Sequence, residues 1–436
     1  MGRLREERTS RRGRRALTFA SVRDGIRESS RAQHVLLCGL EMTLAIPLGL
    51  LPPIFPRVAR SRGVSAKDVG TVMGAHPLIV LLMAPFAARL IGRFGPKPVI
   101  VGGVLLTALA LFLLSFAEAF KGQAFLSYCI FVRVLQGSAI AATSTGTSAH
   151  LSDVFLDPVR MSVVSSHISV CVSIGYLLGP TIAGITIEFG GFPLPCRVVA
   201  CVAMVAGALA SVVLKNWRSN LTNAVRPVPV RNKHVIEVPG VLSRLVAYCT
   251  AFTVFGAIDT GLEPELVGRH HLSPAGVGAF FALLSASYAC GALAVGRGMR
   301  TRRWQYLIMG GLCLVAVSLG TAGVAPVVIG KVAGKYVQML ALMIVYSSST
   351  LIVTPMSSEL SMLTSRAFGH QARDTLAGLM VSVSSLGEII GPNLGGQLLA
   401  RSDFGTAMLA MGILVTFVAV LFSRGTPRTL EPRKQE

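Results

Sequence analysis

The sequence predicts an all-α membrane protein of twelve transmembrane helices arranged in two pseudo-symmetric six-helix halves. Three observations predict it. Of the 436 residues, 52% are apolar and only 14% charged, where a soluble domain carries roughly 25% charge; the mean hydropathy is +0.64. The ionisable residues are clustered, leaving apolar runs that supply the roughly 20 residues one helical crossing needs. Finally, two segments half a chain apart repeat each other. Lipid offers no water to the backbone, so only helical bundles and closed barrels span it. The runs here are too long and too uniformly apolar for barrel strands.

Taken in order, the apolar runs predict spans at 35–57, 68–91, 98–118, 124–149, 161–186 and 196–214. A polar, Pro-containing linker follows at 215–243, and then spans at 244–267, 275–296, 304–328, 336–363, 375–399 and 404–423. This divides the chain into a basic tail (1–34), a first half (35–214), the linker, a second half (244–423) and a short tail (424–436).

The net charge of +21 does not imply nucleic acid, because the positive residues lie in loops and tails, where they act as orientation signals. With both termini in the cytosol, the tails and even-numbered loops hold about 29 basic residues against about 10 on the other side. Arg57, Arg60, Arg62 and Lys67, in the first outer loop, go against this bias. The first 33 residues hold ten arginines, but Glu6, Glu7, Asp24 and Glu28 argue against a transit peptide and for a tail that touches anionic lipid. Asn220-Leu221-Thr222 is a glycosylation triplet that this topology keeps unmodified in the cytosol. The eight cysteines form no CxxC pair and read as small apolar residues. No metal or cofactor is expected. No HExxH or GxSxG motif occurs, so an enzyme is not expected either.

The repeat is specific. The fifth span reads Gly175-Tyr-Leu-Leu-Gly179-Pro180-Thr-Ile-Ala183-Gly184, and the eleventh reads Gly387-Glu-Ile-Ile-Gly391-Pro392-Asn-Leu-Gly395-Gly396. Val69-Gly70 before the second span recurs as Val277-Gly278 before the eighth, and Arg160 recurs as Arg373. The near-equal offsets predict two equivalent halves with a site between them, a plan known from secondary transporters. Glycines four apart share a helix face and admit a neighbouring backbone, and proline bends the helix by removing a donor. Packing alone is the other reading of this motif.

At these residues the chain resembles a transporter of the major facilitator superfamily. Gly175 to Gly184 resembles the fifth-helix motif of drug–proton antiporters, and Arg133-Val-Leu-Gln136-Gly137 resembles their RxxQG motif, whose arginine is implicated in proton coupling. Leu90-Ile-Gly92-Arg93-Phe-Gly95-Pro-Lys97 resembles the loop between the second and third helices. That loop usually has an acid where Gly92 stands, so its cytosolic salt bridge is not expected here. Pro53-Ile-Phe-Pro56, Gly261-Leu-Glu263-Pro264 and Pro274-Ala-Gly-Val-Gly278 are similar to vesicular amine transporters, especially the polyamine-type branch. The resemblance implies the major facilitator fold.

Charges inside a bilayer cost several kcal/mol, from about 2.5 upward, so they persist mainly at wet cavities or beside partners. They form the list of candidate residues. Glu263 stands before Pro264, where the resemblance implies amine recognition; an acid snorkelling to the interface is the alternative. Asp259 lies one turn earlier on the same face. Glu265 points elsewhere and is expected in solvent. Glu388 is the most central acid, a proton or cation ligand or else the partner of a buried base; amine transporters carry their acid about two turns earlier, at the position of Val381. Glu359 follows Pro355 by one turn, as in the polyamine-type branch, and Glu41 lies in the inner half of the first span. His76 could change charge near neutral pH or simply bond a neighbouring helix. Arg133 should sit against an acid or helix carbonyls. Together these predict a monomeric, proton-coupled antiporter of small organic cations in a vesicular, other organelle or plasma membrane. Its site should hold acids and few aromatic residues. A multidrug efflux antiporter and a non-transporting receptor on the same fold are the alternatives.

Overall fold

The computed structural model describes residues 31–154, 158–214, 232–298, 304–368 and 373–425. Its first half holds α1 (Arg31–Leu50), α2 (Ala66–Phe94), α3 (Pro96–Leu114), α4 (Gly122–Val154), α5 (Pro158–Gly190) and α6 (Pro193–Val213). The second half holds α7 (Val241–Gly268), α8 (Pro274–Gly298), α9 (Trp304–Val328), α10 (Lys331–Phe368), α11 (Arg373–Arg401) and α12 (Phe404–Arg424). Most of the basic N-terminal tail, most of the linker with its Asn220 triplet, and nearly all of the C-terminal tail lie outside the described residues.

Local chemistry sets the breaks. The Ser65 side chain caps α2 by accepting from the Asp68 amide at 3.3 Å. Gly95 ends α2 at φ 85°, a conformation that favours glycine, and Pro96 then opens α3 at a position where a helix needs no donor. The first span departs from its predicted range. It stops at Leu50, and a separate short helix covers Phe55–Ser61. Pro52 and Pro53 cannot donate to the helical ladder, and they divide the run. The 33 residues of α4, at about 1.5 Å each, outrun a hydrocarbon core of about 30 Å, so that helix extends past its predicted ends.

Among the described residues, eleven helices are long and apolar enough to cross a membrane. The remaining one, α11, has 29 residues but carries Ser382, Ser384, Ser385, Glu388, Asn393 and Gln397. It packs on both α7 and α2, so much of its surface faces protein rather than lipid.

Two separate sets of buried apolar clusters match the two halves, one drawn from residues between Leu36 and Leu214 and the other from residues between Val235 and Phe422. A polar tie closes each half at the same place. Gln33 at the start of α1 donates to the Val213 carbonyl at the end of α6 (2.8 Å). Arg244 at the start of α7 donates to the Gly425 carbonyl after α12 (3.1 Å). This end of the bundle is called the inner end below.

The halves meet through α5 against α8 and α2 against α11. The repeated glycines make these contacts. A Cβ on Gly278 would lie 2.6 Å from the Pro180 carbonyl and 2.7 Å from the Gly184 Cα. One on Gly396 would lie 2.6 Å from the Ala66 carbonyl and 3.3 Å from the Gly70 Cα. All of these points lie toward the outer end, where the two halves are in backbone contact.

Candidate functional site

A cavity of about 340 Å³ lies between the halves, lined by residues of α1, α2, α4 and α5 on one side and of α7, α8, α10 and α11 on the other. The repeated motif shapes both sides of it. Pro180 of α5 packs against Gly49 of α1, and Pro392 of α11 packs against Gly256 of α7; a Cβ on either glycine would come within 3.0 Å of the facing proline. Within the motif, Gly175 and Gly179 bring α5 onto the backbone of α1, at Met42 and at Ile46 and Leu50. Gly387, Gly391 and Gly395 bring α11 onto α7 at Cys249, Thr253 and Ala257. Gly184 and Gly396 then reach across to the opposite half.

Four of the predicted site residues face this cavity: Asp259, Glu388, Arg133 and His76. Asp259 accepts a hydrogen bond from the Tyr346 hydroxyl at 2.8 Å. Glu388 has no hydrogen-bond partner among the described residues; it shares the field of Asp259. Arg133 is buried and bonds carbonyls of α2 rather than an acid. It donates to the Val72 and Met73 carbonyls at 3.3 and 3.4 Å and to Gln136 Oε1 at 3.0 Å. Pro77 accounts for one of these, because it has no amide to offer the Met73 carbonyl four residues earlier. His76 is buried with Nε2 unbonded among the described residues.

The other three candidates lie away from the cavity lining. Glu263, one turn further out than Asp259, is 1% exposed and pairs with Arg60 at 2.8 Å. Glu359 pairs with the fully buried Arg244 at 3.1 Å, and that guanidinium stacks on Phe422, 4.7 Å from the ring centroid; this cluster belongs to the inner end of the second half. Glu41 lies beside Thr147 of α4 with Oε1 buried and unbonded. Glu265, expected in solvent, is instead 10% exposed and bonds Arg269 at 3.2 Å, because the helix turns it toward the junction with α10, where Gln338 also approaches it. In the loop motif, Arg93 is exposed over the Phe94 ring and Lys97 is partly buried beside Gly95.

The expectation of few aromatic residues is corrected. Phe252, Phe255, Tyr288, Tyr346 and Tyr176 all line the cavity. Phe255 is the hub, with ring centroids 5.0 Å from Tyr346, 5.7 Å from Tyr288 and 6.2 Å from Phe252. Only 7% of the chain is aromatic, but the fold gathers these rings from four helices. Part of the signal was present in the sequence: Tyr248, Phe252, Phe255 and Asp259 follow the four- and three-residue spacing of one helix face. The arrangement can hold a cation, with two carboxylates for its charge and ring faces for its hydrocarbon and its field. Among the described residues, no group of three or more His, Cys, Asp or Glu is placed to hold a metal ion.

Comparison with known proteins agrees with this architecture. The Major Facilitator Superfamily profile matches residues 37–367. The human MFS-type transporter SLC18B1 is 25% identical over 376 residues, spanning 84% of this chain and 79% of that one. Multidrug resistance protein 2 of Bacillus subtilis (strain 168) is 22% identical over 395 residues, spanning 86% and 91%. The crystal structure of a bacterial homologue of the human lysosomal transporter Spinster, in an inward-facing and occupied conformation, superposes with a TM-score of 0.74 at 13% identity, covering 90% of this chain and 96% of that one. The chain belongs to the Major Facilitator Superfamily and is a multi-pass membrane transporter of a small-molecule substrate.

Proposed function

We propose that the protein exchanges small organic cations, amines or polyamines, for protons by alternating access. The observation that carries this reading is the placing of Asp259 and Glu388 on one aromatic-walled cavity between the halves. An ammonium at Asp259 and a proton at Glu388 compete through the field the two acids share, and that competition couples the two fluxes. A bound ligand shifts the carrier between its two states only by its differential affinity for them, and rocking of one half against the other supplies the two states. Arg133, permanently charged and held by α2 carbonyls, balances part of the acid charge when the cavity is empty.

The test is reconstitution into liposomes with an imposed pH gradient. Labelled monoamines and polyamines are expected to accumulate saturably on the acidic side, and organic anions are not. Anion uptake without amine uptake would overturn the assignment. The likeness to a protein named for multidrug resistance supports a second reading, broad efflux of apolar cations. A cavity of about 340 Å³ lies near the small end of ligand pockets, which run from roughly 300 to 1,000 Å³. Small amines should therefore outcompete large planar aromatic cations, and the reverse order would favour the second reading.

The basic bias supports a topology with both termini cytosolic, and a monomer suffices for a site built within one chain. Tags on either terminus should survive protease added outside sealed right-side-out vesicles. Loss of either tag would reject this orientation.

A further inference from the structure

The outer end of the bundle holds an ion pair that joins the two halves. Arg60 lies on the short helix Phe55–Ser61, which continues the first half after α1, and Glu263 lies on α7 of the second half. Their 2.8 Å contact crosses from one half to the other. It stands beside the glycine contacts already described, and close to a further link in which the Ala275 amide of α8 donates to Glu188 of α5 at 3.3 Å. Arg57, one turn before Arg60, adds its charge to the same carboxylate. Arg62 instead faces Glu118 of its own half at 3.8 Å. The three arginines of the first outer loop are thus divided between a tie within one half and a tie between halves. This gives the arginines there a role on the side where the orientation bias disfavours positive charge.

The two members of the pair are unequally placed. Glu263 is 1% exposed, whereas the Arg60 side chain is 44% exposed. Glu263 Oε1 is buried without a hydrogen bond among the described residues. In the closed arrangement the carboxylate therefore takes its one ion-pair hydrogen bond from Arg60, reaching in from a wet rim, with Arg57 adding only its charge. A buried carboxylate that loses its partner is strongly unfavourable, whereas the same carboxylate in a water-filled outward cleft is hydrated. The pair therefore favours closure of the outer end specifically. At the inner end of α2, the loop position where the resemblance implies an acid is Gly92, so an equivalent carboxylate is absent from that position.

We propose that Arg60 and Glu263 are the outer latch of the transport cycle, an inter-half ion pair that must break before the cavity opens away from the termini. In this role Glu263 is a gating residue rather than a ligand of the transported cation. One turn of α7 separates the two functions, with Asp259 facing the cavity and Glu263 facing the latch.

The test uses a cavity cysteine as a reporter of access. Ser285 lines the cavity on α8 and, among the described residues, bonds only back along its own helix, to the Phe281 carbonyl, so Ser285→Cys adds a thiol without removing a tie between helices there. A membrane-impermeant maleimide is applied to the full-length protein in vesicles, on the side away from the termini. The same chain without Ser285→Cys gives the background from native cysteines. Arg60→Ala and Glu263→Gln should each raise the labelling rate at position 285 by about tenfold, a shift of about 1.4 kcal/mol in the closed–open balance. Labelling from the termini side should fall in step, because the two states exchange population. The swap Arg60→Glu with Glu263→Arg should return both rates toward the parental values. Unchanged outer labelling in either single variant would overturn the latch. So would a swap no better than the singles, or a rise on both sides at once, which would signal loosened packing. Because the readout is access rather than uptake, the result stands or falls separately from the identity of the transported cation.

Discussion

Asp259→Asn is expected to weaken the apparent affinity for a cationic amine by on the order of ten- to a hundredfold. A hydrogen bond to a charged group contributes roughly 1.5–3 kcal/mol, and about 1.4 kcal/mol corresponds to tenfold in affinity. The asparagine keeps the size and can still accept from Tyr346, which donates to Asp259 at 2.8 Å, so the loss reports on charge. Saturating amine should restore most of the rate, because Asp259 sits in the aromatic wall that would hold the ammonium. Glu388→Gln should behave differently. Glu388 faces the cavity with no hydrogen-bond partner among the described residues, and in the proposed exchange it is the acid assigned to the proton. Gradient-driven uptake in that variant should stay low at any amine concentration, while amine–amine exchange continues. Concentration-dependent uptake and exchange, measured on both variants in the same membranes, separates the roles. Full uptake in Glu388→Gln with unchanged affinity in Asp259→Asn would remove both acids from the site.

Gly179→Leu is expected to abolish transport while leaving protein in the membrane. A Cβ at that position alone would lie 2.5 Å from the Ile46 carbonyl and 2.6 Å from the Leu50 amide nitrogen. Both are backbone atoms of α1, so no side chain can turn aside, and the whole leucine would force α1 from α5. Both helices line the cavity. Overpacking of this kind costs typically about 1–3 kcal/mol even in forgiving cores, and here it acts where close helix approach depends on small residues. Gly391→Leu should have the same effect in the second half, where the obstacles are the Thr253 backbone and the Gly256 Cα. Gly102→Leu on α3 is the control, since a Cβ there meets nothing within 4 Å. Uptake normalised to surface-biotinylated protein checks all three, and wild-type uptake in Gly179→Leu would show that the tight approach is dispensable.

Much of the fold was legible because it is written in local terms. Apolar runs separated by charge marked the helices, and the duplicated glycine–proline segment marked the halves. Even the contact between halves was present in the sequence, since Val69-Gly70 and Val277-Gly278 are the pieces that meet Gly396 and Gly184. The end of the first helix is not legible from hydropathy, because its apolar run continues through Pro52 and Pro53 while the helical backbone stops at Leu50. The site was harder to read. Intramembrane charge identifies an acid that needs a reason to be there, but a cavity and an ion pair supply equally good reasons. Asp259 and Glu263 are one turn apart on one helix, and they are distinguished by partners distant in sequence, Tyr346 on the cavity for the one and Arg60 for the other. Glu359 is separated from the cavity acids in the same way by Arg244. The aromatic wall is hard to read in the sequence because its rings come singly from α5, α8 and α10, with a periodic stripe on α7 alone.

The cavity's charge inventory bears on how the carrier responds to voltage. In the protonation state with Asp259 and Glu388 both ionised and Arg133 charged, the residues of the lining would hold two negative charges against one positive, so an empty form in that state would present one net negative charge to whichever side it faces. One monovalent cation cancels it. When access switches, the potential drop moves from one side of the cavity to the other, and each net charge then contributes about 2.3 kcal/mol per 100 mV. A carrier holding one monovalent cation should therefore reorient independently of membrane potential, while the empty carrier should be drawn toward the positive side. A divalent polyamine would reverse that sign, leaving the loaded step electrogenic.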